Sequence, residues 1–538
     1  MPRVSGRDIA LKPETIISWL MGLFLLITLL TVPLVGLQND DASLYALAAK
    51  NCVVHGQWLA QFVNPGDPTS FLDKPPVGIW LLAWIPQLIG VNEISIHLPN
   101  ILYFLLFLGM LYWLIKRLAD KETALLATLI ASTSLTLVTF SRTPKLDILL
   151  TVFSTLAIFS FYGYLQEAKK GWLYLCSLGL ALGLLTKSGF GLIIPGLTFL
   201  SLIIFSKEAR SRTSTIFTSL HFWLAGLLFF CLAGGVLLLQ AIPLQEQWLP
   251  YLKSLSIQSK YNTSYLAFGW HYSIIGFLLV TIFPWTPLLF GRPPQRSQLR
   301  TLALHWLWSN LFFLFFFYNQ TDLRTFVPFA VPLSLLAGEN LIQLVRGNKV
   351  RWPMFFWNLL FWLIFTAAFF LLWQKPYNGD GIFLGSALLP IGLFSLGLFL
   401  AQIFYFKPSY QKLYLFIALI IAAYGSLLIV AKPLTDSFNP DINWPNLIKN
   451  QRLAGTKFII YRPPDRNLFY SPDLFYVDFL AGPADSYIWE QDKLKTVFKA
   501  EAALVLSDTI SWEKLKLKGE ILARDNYSLL VVPAGRVN

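Results

Sequence analysis

Charged residues are scarce in this chain of 538 residues, since only 13% are Asp, Glu, Lys or Arg while 55% are hydrophobic. Together with a mean hydropathy of +0.57, this composition excludes a soluble globular protein. Cysteine is also rare. Cys176 and Cys231 fall within apolar runs and Cys52 stands alone outside them, so no intramolecular disulfide is expected. The net charge of +13 is spread over many short segments, which argues against a nucleic-acid-binding surface.

Apolar runs recur along most of the chain. A helix needs about 20 residues to cross a hydrocarbon core of roughly 30 Å, and we count about thirteen candidate runs. They lie near residues 16–37, 98–116, 123–140, 147–165, 172–187, 189–206, 220–242, 272–290, 302–318, 325–345, 353–373, 382–404 and 412–431. The first run follows basic residues as in a signal peptide, but its length and the lack of a clear small-x-small cleavage site indicate a retained span. The sequence therefore predicts a polytopic α-helical membrane protein.

Lys and Arg alternate between loops in a way that predicts the orientation. Short loops retained in the cytoplasm carry the positive excess. The basic loops all fall on one side if the runs are numbered in order, and they contain Arg3, Arg7, Lys12, Lys116, Arg117, Lys121, Lys169, Lys170, Lys207, Arg210, Arg212, Arg292, Arg296, Arg300, Arg346, Lys349, Arg351, Lys407 and Lys412. We expect this side, with the N-terminus, to be cytoplasmic in a plasma or inner membrane.

Two segments outside the runs are predicted to be extracytoplasmic. The first outer loop, residues 38–97, holds helical patterns at 44–54 and 75–89 that are short for crossing and suit helices at the membrane interface. The tail, residues 433–538, contains three short strand patterns, and we expect a small α/β domain. These patterns are KFIIYR (457–462), AALVLSD (502–508) and YSLLVVP (527–533). The predicted domains are thus a transmembrane part, 1–432, and a soluble part, 433–538.

Acidic residues stand at two outer span ends. Asp40 and Asp41 follow the first run and precede a helical pattern, so they suit an N-cap as well as a carboxylate facing lipid head groups. Asp147 begins the fourth run, close behind Arg142 and Lys145. An acid near a helix N-terminus is ordinary, so a structural role for Asp147 is as well supported as a functional one.

Cations stand near the same ends. Lys74 precedes Pro75 and Pro76, which either simply start a helix or hold the lysine rigidly toward a phosphate or an acid. Lys187 lies between two apolar runs, where burial without a partner is costly, and this favours function. Arg324 is a further candidate for anion binding, with snorkelling as the alternative.

These acids and cations, taken together, predict a phosphate-handling site on the outer face. Cations hold a lipid phosphate and stabilise it as a leaving group, while a carboxylate orients or deprotonates an acceptor hydroxyl. A metal site is weakly supported, because His55, His97 and His271 show no ligand spacing.

The order of the polar motifs resembles a known family. The motifs are the acidic pair and Tyr45 ahead of HGQW (55–58), DKPPVGIWLLAW (73–84), Asp147, GLLTKSGFGLIIPGL (183–197), FPWTPLL (283–289) and RTFVPFAVP (324–332). In this order they resemble the bacterial protein O-mannosyltransferase and aminoarabinose (lipid A) transferase family of GT-C glycosyltransferases. The most specific pieces are KPP with its following Trp, and LTKSGFG in the place of the family's LTKGPVG.

The resemblance implies a membrane enzyme of GT-C fold. Such an enzyme takes a sugar from a polyprenyl-phosphate carrier and transfers it, usually with inversion, to a lipid, glycan or protein acceptor outside the cytoplasm. The family's catalytic acids map onto Asp40 or Asp41 and onto Asp147. Its phosphate-binding cations map onto Lys74 and Lys187, and we add Arg142 and Arg324 as candidates. No cofactor is assigned, and a divalent cation is the one candidate.

The chain departs from the family at two of these motifs. Asp40-Asp41 stands where the family commonly has Asp-Glu, so the choice between the two acids is open. The segment 322–326, Asp-Leu-Arg-Thr-Phe, replaces Lys-Leu-Pro-Thr-Tyr, which puts the role of Arg324 in question.

Three other functions compete with this hypothesis. An oligosaccharide ligase would move a preassembled glycan instead of one sugar. A secondary transporter or lipid flippase would line a path with buried charges, yet the charges here stand at outer span ends and no pair of interrupted runs repeats between the two halves. A catalytically inactive scaffold whose tail binds a partner is the third alternative.

The predicted topology requires Lys74 and Lys187 to lie on the same side of the bilayer. We expect Lys74→Cys and Lys187→Cys, in a chain whose native cysteines are replaced by serine, to react with a membrane-impermeant thiol reagent in intact cells. The matched control, Lys169→Cys in a predicted cytoplasmic loop, should react only after permeabilisation. Labelling of the two lysine positions from opposite sides would exclude a common site.

Overall fold

The computed structural model describes residues 12–34, 37, 41–63, 72–255, 272–291, 297–317, 323–347, 352–373, 381–406, 408–438, 448, 456–461, 486–488, 491–500, 503–508, 512–513, 515–524 and 528–533. Its helices are α1 (Pro13–Leu30), α2 (Asp41–His55), α3 (Pro76–Ile89), α4 (Glu93–Leu118), α5 (Lys121–Ser132), α6 (Leu135–Ser141), α7 (Asp147–Glu167), α8 (Gly171–Lys187), α9 (Phe190–Phe205), α10 (Lys207–Ile216), α11 (Leu220–Phe229), α12 (Gly235–Leu239), α13 (Ala241–Leu244), α14 (Trp248–Ser254), α15 (Tyr272–Thr281), α16 (Gln298–Phe317), α17 (Val327–Gly347), α18 (Trp352–Trp373), α19 (Gly381–Phe406), α20 (Tyr410–Phe438) and α21 (Gln491–Ala500).

The chain divides into two compact units. The first comprises Met1–Val35, Asp73–Leu81 and His97–Lys432, and the second comprises Gly36–Leu72, Leu82–Ile96 and Pro433–Asn538. The first unit contains nearly all the long apolar helices, packed around one large core that includes Trp285, Trp306 and Phe326.

Within the described residues, seven helical segments are long and apolar enough to cross a membrane, or eight if one bent pair is a single span. Four shorter apolar helices, α3, α8, α9 and the first part of α18, accompany them. The predicted fold class, a polytopic α-helical protein with a small sheet in its tail, is confirmed. The expected count of about thirteen spans is not confirmed, because many of the described helices are shorter than a full membrane crossing requires.

The run predicted as one span near 123–140 is instead broken. Helices α5 and α6 meet at an angle of 62° around Thr133 and Ser134. The indole Nε1 of Trp285 donates to the Thr133 hydroxyl at 2.8 Å, and the Leu135 amide donates to the Phe283 carbonyl oxygen at 3.2 Å. These bonds satisfy polar groups that a bend inside an apolar region would otherwise leave unpaired, so the bend is stable.

Helices α8 and α9 form a tight hairpin directly after Lys187. The chain reverses at Ser188, whose φ of 54° is in the left-handed region, and α9 then returns along α8. A Cβ atom on Gly191 would clash with the carbonyl carbon of Gly183. Only glycine allows this backbone contact, and the contact fixes the end of α8 where Lys187 stands.

Helix α2, in the second unit, forms where the sequence predicted a helical pattern. Every residue from Ala42 to Ala49 is buried, so its polar and apolar positions do not form opposite faces. Whether α2 and α3 lie at the membrane interface stays a prediction. Of the apolar positions in the pattern at 44–54, Leu44, Leu47 and Ala48 are buried, whereas Val54 is exposed.

The tail contains a mixed five-stranded sheet. Its strands are β1 (Lys457–Tyr461), β2 (Ser486–Ile488), β3 (Ala503–Asp508), β4 (Gly519–Arg524) and β5 (Ser528–Pro533), in the order β2-β1-β3-β5-β4. Strands β2, β1 and β3 are parallel, whereas β5 pairs antiparallel with β3 and β4. Helix α21 packs on the sheet through Leu494 and Phe498. The three predicted strands are present; β2 and β4 were missed because β2 has three residues and β4 carries charges at both ends.

The hairpin contact between α8 and α9 makes a specific prediction about stability. Gly191→Ala should destabilise the protein by about 1–3 kcal/mol or more, because the added methyl meets backbone atoms that cannot rotate away. Gly196→Ala, in the same helix with nothing within 4 Å of the added atom, is the matched control and should be close to neutral. Thermal unfolding of the detergent-solubilised variants measures the difference, and equal midpoints for the two variants would contradict the described contact.

Candidate functional site

The centre of the candidate site is an ion pair between Lys187 and Asp147. The Lys187 Nζ lies 2.7 Å from the Asp147 Oδ1, and the two side chains are 19% and 8% exposed. Asp147 is the first residue of α7 and Lys187 the last residue of α8, so the antiparallel packing of the two helices brings them together. Two residues that the sequence assigned to one outer site are therefore direct partners, and neither charge is buried alone.

Two more cations act on the same carboxylate. Arg324, in the 3-10 turn Leu323–Phe326, and Lys145, two residues before Asp147, both interact electrostatically with Asp147. The Lys145 ammonium also lies 5.4 Å from the centroid of the Phe140 ring. Among these four side chains, positive charges outnumber the single negative one. Such a cluster favours an additional anion over an additional cation.

The DKPP segment is held beside this cluster. A Cβ atom on Gly78, in the first turn of α3, would lie 2.8 Å from Leu146 Cδ2 and 3.2 Å from Thr186 Cγ2. Those neighbours directly precede Asp147 and Lys187 in the chain. Val77 packs with Leu185 in the same small apolar cluster. The three motifs that the sequence singled out thus converge at the start of α3.

Lys74 itself has an acidic partner. Its Nζ lies 2.6 Å from Asp73 Oδ1, and both side chains are largely buried. Helix α3 begins at Pro76, as the PP pair predicted, because proline is favoured in the first helical turn. Asp73 received no role from the sequence beyond its place in the motif.

Side chains of α4 hold the loop that precedes Asp147. The His97 Nδ1 is hydrogen-bonded to the Arg142 carbonyl oxygen at 2.6 Å. The Asn100 amide donates to the carbonyl oxygens of Thr143 and of Lys145, the latter at 2.7 Å. Sequence reasoning missed this role for both residues, although their spacing of three places them on one helix face.

Arg142 links the loop after α6 to the end of α1. Its Nη2 donates to the Thr31 carbonyl oxygen at 2.5 Å, at the end of α1, and the side chain is buried. Its Nε has no hydrogen-bond partner among the described residues. The contact of Arg142 with a donor phosphate stays a prediction.

The acidic pair of the first outer loop is only half described. Asp41 is the first residue of α2, where the helix dipole favours a carboxylate. Asp40 lies outside the described residues, so the choice between the two acids stays open. Of the histidines considered, His271 also lies outside them, and His55 ends α2. Across the described part of the chain, no group of three or more His, Cys, Asp or Glu side chains could hold a metal ion.

The segment that carries these residues is similar to known proteins. Residues 73–237, which include Lys74, Asp147 and Lys187, match the family described as dolichyl-phosphate-mannose-protein mannosyltransferase. An undecaprenyl phosphate-α-4-amino-4-deoxy-L-arabinose arabinosyl transferase of Proteus mirabilis is 26% identical over 344 residues, 61% of this chain and 60% of that protein. A protein of unassigned function from Aquifex aeolicus is 25% identical over 327 residues, 60% of this chain and 63% of that protein. The chain thus matches about three fifths of the length of these relatives.

The fold has a solved counterpart. The crystal structure of ArnT from Cupriavidus metallidurans bound to undecaprenyl phosphate superposes with a TM-score of 0.75, over 96% of this chain and 97% of that one, at 16% identity. This likeness includes the multi-pass helical architecture. The motifs, the matched segment and the fold agree in making this chain similar to GT-C glycosyltransferases of the aminoarabinose transferase and protein mannosyltransferase family.

Proposed function

We propose that this protein transfers a sugar from a polyprenyl-phosphate-linked donor to a lipid, glycan or protein acceptor on the non-cytoplasmic face of the membrane. The observation that carries the proposal is the buried Lys187–Asp147 ion pair, with Lys145 and Arg324 acting on the same carboxylate. A relative is named as an arabinosyl transferase for an undecaprenyl-phosphate-linked sugar, and a protein of the same fold was crystallised with undecaprenyl phosphate.

The cations bind the donor and stabilise the leaving group. In the reaction the bond between the sugar's anomeric carbon and the phosphate oxygen breaks, and the phosphate leaves on the polyprenyl chain with an added negative charge. Lys187, Lys74 and Arg324 stabilise that charge, which is greatest in the transition state and product. Arg142 is assigned to the same group of phosphate-binding cations. Asp147 keeps the Lys187 ammonium in place through the 2.7 Å contact.

The first-loop acid activates the acceptor. Asp40 or Asp41 accepts the proton of the acceptor hydroxyl or orients that hydroxyl while its oxygen forms the new bond to the anomeric carbon. A single displacement of this kind inverts the anomeric configuration. The proposal places the tail, 433–538, outside the cytoplasm as a separate domain that shapes access of the acceptor. A divalent cation stays a candidate cofactor with no ligand set assigned.

The role of Lys187 can be separated from its contribution to stability. Lys187→Met should lower sugar transfer from a polyprenyl-phosphate donor by about 10²–10³-fold, because it removes a charge that stabilises the leaving phosphate. It should also destabilise the protein, since Asp147 is then buried without its partner. The double variant Asp147→Leu/Lys187→Met should recover thermal stability without recovering transfer.

The matched control is a more exposed ion pair outside these motifs. Lys121 Nζ lies 2.6 Å from Glu14 Oε2, and Lys121→Met removes that lysine where the side chain is 57% exposed. Transfer by this variant should equal that of the parent. If the double variant regained both stability and transfer, the ion pair would be structural and the proposed role of Lys187 wrong.

The acceptor-activating role is tested at the acidic pair. Asp40→Asn/Asp41→Asn should lower transfer by about 10²–10⁴-fold while leaving binding of polyprenyl phosphate unchanged, because the pair acts on the acceptor and not on the carrier. The single variants identify which acid acts. Parent-like transfer by the double variant, measured in purified protein, would exclude the assignment. Movement of a preassembled glycan instead of one sugar by the parent would identify an oligosaccharide ligase.

A further inference from the structure

Tyr251 reaches the DKPP segment from a distant part of the chain. Its hydroxyl lies 3.1 Å from the carbonyl oxygen of Lys74, 177 residues away in sequence. The same hydroxyl lies 3.0 Å from Gln240 Oε1. One hydroxyl proton therefore serves two acceptors, and both Tyr251 and Gln240 are almost fully buried. Burial of this kind makes the hydrogen bond costly to lose.

The segment that carries Tyr251 is fixed independently of Lys74. Helix α14, which contains Tyr251, is tied to α12 because the Trp248 indole donates to the Leu237 carbonyl oxygen at 3.1 Å. Gln240, between α12 and α13, provides a second attachment through the Tyr251 hydroxyl. These two hydrogen bonds hold the Tyr251 hydroxyl in place beside the DKPP segment.

Because of the two prolines, this backbone contact also fixes the orientation of the Lys74 side chain. Pro75 and Pro76 have fixed φ angles, and a residue that precedes proline is restricted as well. The backbone from Lys74 into α3 therefore has little freedom to absorb a rotation. A hydrogen bond that fixes the Lys74 carbonyl also fixes the direction in which the Lys74 side chain leaves the backbone, while Asp73 orients its ammonium.

We propose that Tyr251, held by Gln240, is a positioning residue that sets the placement of Lys74 for the carrier phosphate. The proposal rests on the function proposed for Lys74 above. It makes the segment from Gln240 to Tyr251 a part of the donor site, although neither residue need touch the donor. The effect of Tyr251 on the reaction then passes entirely through Lys74.

The test is a double-mutant cycle on the full-length protein. Tyr251→Phe removes only the hydroxyl and should lower kcat/KM for a polyprenyl-phosphate-linked sugar at least fivefold. In a Lys74→Met background the same change should have no further effect, because interacting residues are non-additive. Tyr424→Phe is the matched control: its buried hydroxyl donates to the Phe283 carbonyl oxygen at 2.9 Å, and its loss should leave kcat/KM unchanged.

A second readout does not depend on transfer. The rate at which an amine-reactive reagent modifies Lys74, measured by mass spectrometry against the exposed Lys121 as internal reference, should rise at least threefold in Tyr251→Phe and stay at the parent value in Tyr424→Phe. If the parent protein has no transferase activity but Tyr251→Phe still raises the labelling of Lys74, the proposed function is overturned and the positioning role is supported. Parent-like labelling of Lys74 in Tyr251→Phe would overturn the positioning role. So would a loss of kcat/KM on Tyr251→Phe that is equal in the parent and in the Lys74→Met background.

Discussion

The ion pair between Lys187 and Asp147 is the constraint on which the site depends. The buried carboxylate of Asp147 is stabilised by the partly buried ammonium of Lys187. This ion pair requires the end of α8 to meet the start of α7 within hydrogen-bonding distance. The glycine contact between α8 and α9 secures that end, because it lets the chain turn back immediately after Lys187. Backbone packing by glycine and side-chain pairing by charge thus specify the same geometry.

Around this pair, the segments of the site are held mainly through their backbones. Carbonyl oxygens of the loop before Asp147 accept from His97 and Asn100, and the Lys74 carbonyl accepts from Tyr251. Because these hydrogen bonds use backbone carbonyl oxygens, the lysine ammonium groups can pair with acids or bind a ligand. The loops are thereby made rigid without using the charged groups that the proposed chemistry requires.

The sequence predicted those parts of the site whose signal is local. A lysine that interrupts an apolar run has few explanations, so the sequence singled out Lys187 as a candidate, and the proline pair after Lys74 predicted the start of α3. The spatial partner of Lys187 could not be predicted in the same way, since no local sequence pattern links Lys187 to Asp147. For the same reason the roles of His97, Asn100 and Tyr251 were missed, because their contacts join residues 45 or 177 positions apart. The bend between α5 and α6 was missed too, since its stabilising bonds come from Phe283 and Trp285.

The geometry also separates the roles of the acids. Asp147 is committed to Lys187 by a 2.7 Å contact, and Lys145 and Arg324 add further positive charge near it. If Lys187 stabilises the leaving phosphate as proposed, protonating Asp147 during the reaction would remove the charge that holds Lys187 when that lysine is needed. An acid used to fix a cation is therefore poorly suited to accept the acceptor's proton in the same step. Under the proposed function a carboxylate outside this cluster is better suited to act as the base, and the sequence provides Asp40 and Asp41, of which Asp41 begins α2.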